Sequence, residues 1–185
     1  MQVSLGIILG AVGLIAVYFW SLYNSLVRES TQIDEAWGQI DVQLKRRADL
    51  IPNLVESVKG YAKHEKSVFT EVTHARTALM KAGTPATSAQ ANDMLTGALK
   101  SLFAVAEAYP QLKANENFVH LQKELSDTED KVAYARQYYN TQLMEYNVKV
   151  KTFPNTLFVR SFGFAEKEFF KTDATDRKSV KVDLH

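Results

Sequence analysis

The chain has 185 residues, of which 46% are hydrophobic and 23% are charged, a composition typical of one folded domain and unlike that of a disordered chain. Its 22 Lys and Arg residues against 21 Asp and Glu residues give a net charge of +1, so no binding to nucleic acid is expected. The absence of cysteine excludes disulfides, zinc sites built from thiolates and a cysteine nucleophile.

The first 27 residues contain no Asp, Glu, Lys, Arg or His, and within them Val3 to Trp20 form an apolar run of eighteen residues. A helix of that length covers roughly 27 Å, close to the ~30 Å hydrocarbon core of a bilayer. Aromatic residues, which favour the boundary between lipid and water, gather at its C-terminal end. These are Tyr18, Phe19, Trp20 and Tyr23. Residues 1–27 are therefore predicted to form a single transmembrane anchor.

A cleaved signal peptide is the alternative for this segment. It is disfavoured because no basic residue precedes the apolar run and no A-x-A-like site follows it. The basic residues near the run lie on its C-terminal side, beginning with Arg28. By the positive-inside rule, the part of the chain after the anchor is expected to be cytoplasmic.

Gly6 and Gly10 form a G-x-x-x-G pair inside the apolar run, with Gly13 close to the same face. Small residues at this spacing allow two membrane helices to approach closely. Glycine is also common in membrane helices in general, so the pair is a weak signal. It is consistent with lateral association of two copies of the chain.

From Arg28 onward, apolar residues recur alternately every three and every four positions as far as Leu79, which is the pattern of a long amphipathic helix. Pro52 interrupts the backbone hydrogen bonds without interrupting this pattern. It is interpreted either as a kink or as the first-turn residue of a second helix in the same register.

Two further helical segments follow. The second is expected to begin with Thr87 or Ser88 as its N-cap and to end before Pro110, and the third runs from Asn115 to Phe153. The predicted fold is all-α, with an N-terminal transmembrane helix followed by an up-and-down antiparallel bundle of long amphipathic helices. The bundle is assigned to residues 28–170, and residues 171–185 are expected to be a flexible tail.

Catalytic and metal-binding motifs are scarce. Glu71-Val72-Thr73-His74 matches the Glu-x-x-His unit of di-iron bundles, but a second such unit does not occur in the sequence. Glu71 and His74 are therefore expected to be exposed helix residues, and neither a metal, a cofactor nor an enzymatic activity is predicted. A metal-dependent sensor or enzyme that uses these two residues is the alternative.

Two clusters later in the sequence allow two interpretations each. Lys45, Arg46 and Arg47 are expected to form a surface patch with pairing inside the helix, although anionic lipid or an acidic partner is the alternative. Six of the ten Phe residues are concentrated near the C-terminal end: Phe153, Phe158, Phe162, Phe164, Phe169 and Phe170. They are expected to cap the end of the bundle, with a docking patch as the alternative.

Several runs of residues are distinctive in combination. They include Ala36-Trp37, Leu44-Lys45-Arg46-Arg47-Ala48-Asp49-Leu50-Ile51-Pro52-Asn53-Leu54-Val55, Val58-Lys59-Gly60-Tyr61, Ala106-Glu107-Ala108-Tyr109-Pro110 and Phe162-Gly163-Phe164. Together these runs resemble the signature of the LemA family. The resemblance covers residues 23–170, and no match is recognised in the tail after Lys171. It implies a helical bundle anchored in a bacterial inner membrane, in a family without an established general activity, and it supplies no catalytic residues.

Arg47, Asp49, Pro52 and Asn53 lie together in the most distinctive of these runs. A structural role is favoured over a ligand site. Asp49 is expected to accept hydrogen bonds from amides freed near Pro52. Arg47 lies on the apolar face and would need a carboxylate from a facing helix.

The function that fits these features is a membrane-anchored, non-catalytic scaffold or adaptor that organises or shapes the membrane through self-association. Its expected partners are the lipid bilayer, further copies of the chain and an unidentified protein. Contacts between copies are predicted where the first helix leaves the membrane, through Ile33, Trp37 and Ile40. Burial of each such side chain is worth ~1.5 to 3 kcal/mol.

Overall fold

The computed structural model describes residues 2–171. Within that range the chain is helical and contains no β-strand, so the all-α prediction is confirmed. The helices are α1 (Gln2–Lys59), α2 (Lys66–Lys81), α3 (Pro85–Glu107), α4 (Pro110–Lys113) and α5 (Glu116–Lys151), followed by a 3-10 turn at Asn155–Leu157. Apart from Lys171, the predicted tail 171–185 lies outside the described residues.

Helix α1 has 58 residues, about 87 Å at 1.5 Å per residue. Its first part is long and apolar enough to cross a membrane, and the apolar side chains there, from Leu5 to Val17, are largely exposed. Leu22 is the first buried side chain among those described, and Leu26 follows on the same face. The helix continues across residues 27 and 28, where the sequence places the end of the anchor, without a break.

The chain divides into two compact units. The first contains the residues up to 37 together with 138–167, so it is built from the start of α1, the end of α5 and the segment after α5. Its two helices run antiparallel, because residues later in α1 pair with residues earlier in the C-terminal part of the chain. The pairs are Tyr18 with Asn155, Glu29 with Lys149, and Trp37 with Tyr139.

The segment after α5 is fixed to the first unit by polar contacts. The side-chain amide of Asn147 donates to the Lys167 carbonyl and accepts from the Lys167 backbone amide, each at 3.0 Å. The Tyr146 hydroxyl donates to the Ala165 carbonyl at 3.1 Å, and the Lys167 ammonium group contacts Asp34 on α1 at 2.6 Å. The segment after α5 therefore packs against both helices of this unit.

The second unit contains residues 38–137 and, among the described residues that follow the first unit, residues 168–171. Five helical segments contribute to its core, namely the end of α1, α2, α3, α4 and the start of α5, and their buried apolar residues repeat at helical spacing. They include Leu54, Val58, Val72, Leu95, Leu102 and Leu112. The short connections after α1 and α2 make consecutive helices antiparallel, and α5 runs antiparallel to α1, since Asn115 lies by Tyr61 and Glu124 by Arg46. This order is the up-and-down arrangement that the sequence predicts.

The predicted end of the first long helix is wrong. The first long segment does not extend to Leu79, because a turn at residues 60–65 separates α1 from α2. Gly60 directly follows the last helical residue, Lys59, which is the usual place for glycine at a helix end. Pro52 lies inside α1, so it does not begin a second helix.

The start of α3 also differs from the prediction. Its N-cap is Thr84, whose hydroxyl accepts from the Thr87 amide at 3.2 Å, while the Thr87 hydroxyl accepts from the Thr84 amide at 3.0 Å. Pro85 occupies the first helical position, where its missing N–H costs no hydrogen bond. Thr87 thus belongs to the first turn of the helix, and Ser88 follows it.

Candidate functional site

The most distinctive polar feature of the second unit is a cluster formed by the buried residues Arg47 and Asn92 and by the exposed residue Glu129, called here the Arg47 cluster. Arg47 is 2% exposed. Its Nη1 donates to Asn92 Oδ1 on α3 at 2.6 Å, and its Nη2 contacts Glu129 Oε2 on α5 at 3.4 Å. A carboxylate from a facing helix is the kind of partner that the sequence predicts for Arg47.

Burial lowers the pKa of the Arg47 guanidinium, and the carboxylates of Glu129 and Asp93 oppose that shift. An arginine nevertheless remains charged at neutral pH. Its Nε has no hydrogen-bond partner among the described residues. The buried charge is thus held by one short hydrogen bond and one longer ion pair, an arrangement suited to fixing three helices in register.

A second arginine compensates for the proline inside α1. Pro52 has no N–H, so the carbonyl oxygen of Ala48, four residues earlier, lacks its helical donor. Arg76 of α2 supplies a replacement, because its Nε donates to that oxygen at 2.8 Å. This contact explains how a proline is accommodated within α1, and it joins α2 to α1 at the residue next to Arg47.

The other residues of the distinctive run lie outside the core. Asp49, Pro52 and Asn53 are exposed. The expected role of Asp49 as an acceptor for amides near Pro52 is not observed. The group that Pro52 leaves unpaired is the Ala48 carbonyl, which requires a donor, and Arg76 is that donor.

Arg46 also connects α1 to another helix. Its guanidinium contacts the Glu124 carboxylate of α5 at 2.7 Å, and this hydrogen bond lowers the pKa of Glu124. The expectation of a surface patch paired within one helix is therefore wrong for two of its three basic residues. Arg46 pairs between helices and Arg47 is buried, whereas Lys45 is exposed.

Glu71 and His74 are exposed on α2, as the sequence predicts. His74 lines a shallow surface groove with Lys59, Phe69 and neighbouring threonines. Among the residues that the structure describes, no group of three His, Asp or Glu side chains is placed to hold a metal ion.

The predicted contact residues near the membrane have different environments. A Cβ atom added at Gly6 or Gly10 would meet no atom within 4 Å, so this glycine face is open. Trp37 is half-buried and packs against the Tyr139 ring, with the centroids 6.0 Å apart. Ile33 and Ile40 are buried. The sequence argument that these side chains remain uncovered within one chain is therefore wrong for Ile33 and Ile40, and Trp37 is covered in part.

Three of the phenylalanines after α5 pack against the chain itself. Phe158 contacts Phe19 edge to face, with ring centroids 4.4 Å apart. Phe162 and Phe164 contact Tyr23, at centroid distances of 5.6 and 5.8 Å. These rings lie against the C-terminal end of the apolar run.

The LemA family model matches residues 36–184. The chain belongs to the LemA family. The family match continues past Phe170, so the expectation that the tail has no counterpart in the family is wrong. Together with the apolar N-terminal helix, membership in the LemA family identifies a membrane-associated protein.

Similar proteins carry two kinds of name. Magnetosome protein MamQ 1 of Paramagnetospirillum magneticum is 27% identical over 80% of this chain. Magnetosome protein MamQ of Magnetospirillum gryphiswaldense is 26% identical over the same share. Protein LemA of Metamycoplasma hominis is 26% identical over 85% of this chain and 72% of its own length. The matched region spans 64% of the length of the magnetosome proteins.

Sequence reasoning missed the partners in the Arg47 cluster and the role of Arg76. Asn92 precedes Leu95 and Leu99 by three and seven positions, so it falls on the apolar face of α3 and is buried there. A polar residue on an apolar face is a signal that could have identified it. Arg76 and Glu129 give no comparable signal, because their contacts depend on tertiary packing.

Proposed function

We propose that this LemA-family chain is a membrane-anchored, non-catalytic scaffold or adaptor that self-associates in the bacterial inner membrane, with its folded part in the cytoplasm. The observation that carries the proposal is the continuity of α1. Its first part presents apolar side chains outward, and the same helix then supplies the buried residues Leu26, Ile40 and Leu54. One helix thus joins a lipid-compatible surface to the folded core.

The polar side chains with the most developed contacts support a structural role. Arg46, Arg47 and the Ala48 carbonyl are consecutive along α1, and they connect it to α5, α3 and α2. This arrangement uses charged groups to hold helices together. No cofactor is proposed, and nucleic acid is not among the proposed partners, which are the bilayer, other copies and an unidentified protein.

The glycine face supports association within the membrane. Gly6 and Gly10 contact no other part of the described chain on their Cβ side. Two copies of the helix are able to approach closely along such a face. Because Ile33 and Ile40 are already buried within the chain, the proposed contact lies in the apolar run and not at Trp37.

The test is the mass of the full chain in mild detergent, measured by light scattering with the detergent contribution subtracted. We expect a multiple of the 20.8 kDa chain mass and a reduced mass for Gly10→Leu. Ala11→Leu is the matched control, because it adds bulk about 100° away around the helix. A single-chain mass for the unmodified protein would contradict self-association.

Orientation and the enzymatic alternative have separate tests. The chain has no cysteine, so Lys81→Cys, at an exposed position, introduces a unique site for an impermeant maleimide. A cytoplasmic bundle is labelled only after the inner membrane is opened. Iron or zinc bound stoichiometrically to the purified protein and lost in His74→Ala would instead favour a metal-dependent sensor or enzyme.

A further inference from the structure

We infer that the turn at residues 153–158 in the first unit inserts into the interfacial layer of the bilayer beside the apolar run, giving the chain a second membrane contact. The inference rests on the proposed membrane anchor. The first observation is position. The Tyr18 hydroxyl donates to Asn155 Oδ1 at 2.6 Å, and the Phe19 and Phe158 rings pack with centroids 4.4 Å apart.

These contacts place the turn beside the last part of the apolar run. A hydrocarbon core of ~30 Å needs about 20 helical residues, so a core that begins at residue 3 ends near Leu22. Tyr18 lies four residues earlier, about 6 Å along the helix axis. Leu22 is also the first described side chain of α1 to be buried. The turn therefore lies at the membrane boundary if the helix spans the bilayer along its normal.

The second observation is the surface of the turn. Phe153 is 76% exposed, Leu157 is 61% exposed and Phe158 is 37% exposed. Trp20, on the neighbouring part of α1, is also exposed. Large apolar and aromatic side chains grouped in this way are suited to the interface between lipid and water. The turn packs against Tyr18 and Phe19 of the apolar run, so lipid is the occupant that its exposed side chains fit.

The third observation concerns the hydrogen bonds made by the polar groups of the turn. Three of its backbone amides donate internally: Thr156 to the Thr152 carbonyl at 3.0 Å, Leu157 to the Pro154 carbonyl at 3.2 Å and Phe158 to the Asn155 carbonyl at 2.8 Å. The Asn155 side-chain amide donates to the Lys149 carbonyl at 3.0 Å. These donors therefore enter the interface already hydrogen-bonded within the chain. Arg160, exposed just beyond the turn, is placed where a cation can reach lipid phosphates.

The experiment uses the full chain in vesicles that contain anionic phospholipid. Leu157→Cys and Phe153→Cys each carry one nitroxide label, since the chain has no cysteine of its own. Leu14→Cys, 74% exposed in the apolar run, is the control for lipid. Met144→Cys, 54% exposed on α5, is the control for water. The measurement is the ratio of collisions with oxygen to collisions with a water-soluble nickel complex.

We expect the ratios at positions 153 and 157 to be shifted from the value at position 144 toward that at position 14. Ratios equal to that at position 144, with a lipid value at position 14, would overturn this inference and leave the anchor intact. An aqueous value at position 14 would overturn both the anchor and the inference. Spin–spin broadening at position 157 that disappears on dilution with unlabelled protein would assign the surface to a second copy instead and overturn lipid as its occupant.

Discussion

The hydrogen bond from Arg76 to the Ala48 carbonyl predicts a measurable coupling between two residues that belong to different helices. Arg76→Met removes the donor and leaves a carbonyl oxygen that Pro52 cannot satisfy. A hydrogen bond from a charged donor is worth about 1.5–3 kcal/mol. Because Arg76 is only half-buried, the lower end of that range is expected, about 1.5 kcal/mol.

Pro52→Ala changes the expected result, because alanine at this position restores a backbone N–H directed at the Ala48 carbonyl. In that background Arg76→Met should cost only about 0.5 kcal/mol, the residual loss of packing and charge at a half-exposed site. The coupling energy is then about 1 kcal/mol. Pro52→Ala alone should also stabilise the helix, since proline in a helix interior costs up to ~3 kcal/mol relative to alanine.

The four proteins of this cycle can be compared by thermal unfolding in detergent, followed by circular dichroism at 222 nm at one scan rate. For a chain of this size 1 kcal/mol corresponds to roughly 2–4 °C in Tm. Arg76→Met should therefore lower Tm by about 3–6 °C in the natural background and by about 1–2 °C with Pro52→Ala. Lys81→Met is the control, because it also removes one positive charge from α2 but at an exposed position. Equal losses in both backgrounds would refute the explanation given for Pro52.

Two further predictions concern pH. The hydrogen bond from Arg46 lowers the pKa of Glu124, so the pair stabilises the fold above the usual carboxyl range near pH ~4 and loses that contribution as pH falls through the lowered value. Glu124→Gln should thus reduce the acid sensitivity of Tm below about pH 4, and an unchanged profile would contradict the ion pair. Burial raises the pKa of Tyr146, so its contribution is present below about pH 10 and is lost as pH rises through the raised value. Tyr146→Phe should lower the free energy of unfolding by about 1 kcal/mol at neutral pH and make Tm less sensitive to alkaline pH. The exposed control Tyr138→Phe should do neither. Equal behaviour of the two variants would argue against the contact with Ala165.

The helical periodicity of the sequence was sufficient to predict the fold class and much of the core. It failed at the turn after Lys59, because apolar residues continue on both sides of residues 60–65 at spacings that a single helix also permits. Gly60 carried the local signal for the end of α1. Pro52 gave the opposite error, because it suggested the start of a second helix where α1 in fact continues. The hydrogen bond that Pro52 removes is replaced by a donor from α2, which no local pattern reveals.

The sequence was sufficient to predict that Arg47 has a polar partner from another helix, but it did not identify that partner. A lone arginine on an apolar face requires a buried polar partner, and this requirement applies to Arg47 whatever the fold. Asn92 and Glu129 are 45 and 82 residues away in the sequence, so their identity depends on helix packing. The packing of Trp37 was missed for the same reason, because the ring that covers part of it belongs to Tyr139 on α5.

The division of the chain into two units has a consequence for the order of folding. The residues of the second unit between 38 and 137 are contiguous, so they can begin to pack as soon as they leave the ribosome. The first unit joins residues far apart in sequence, as in the contact between Tyr18 and Asn155, which are separated by 137 residues. It cannot close until residues 138–167 have been synthesised, long after the apolar run has emerged. The aromatic end of the future anchor is therefore available to the membrane-insertion machinery before its own partners exist.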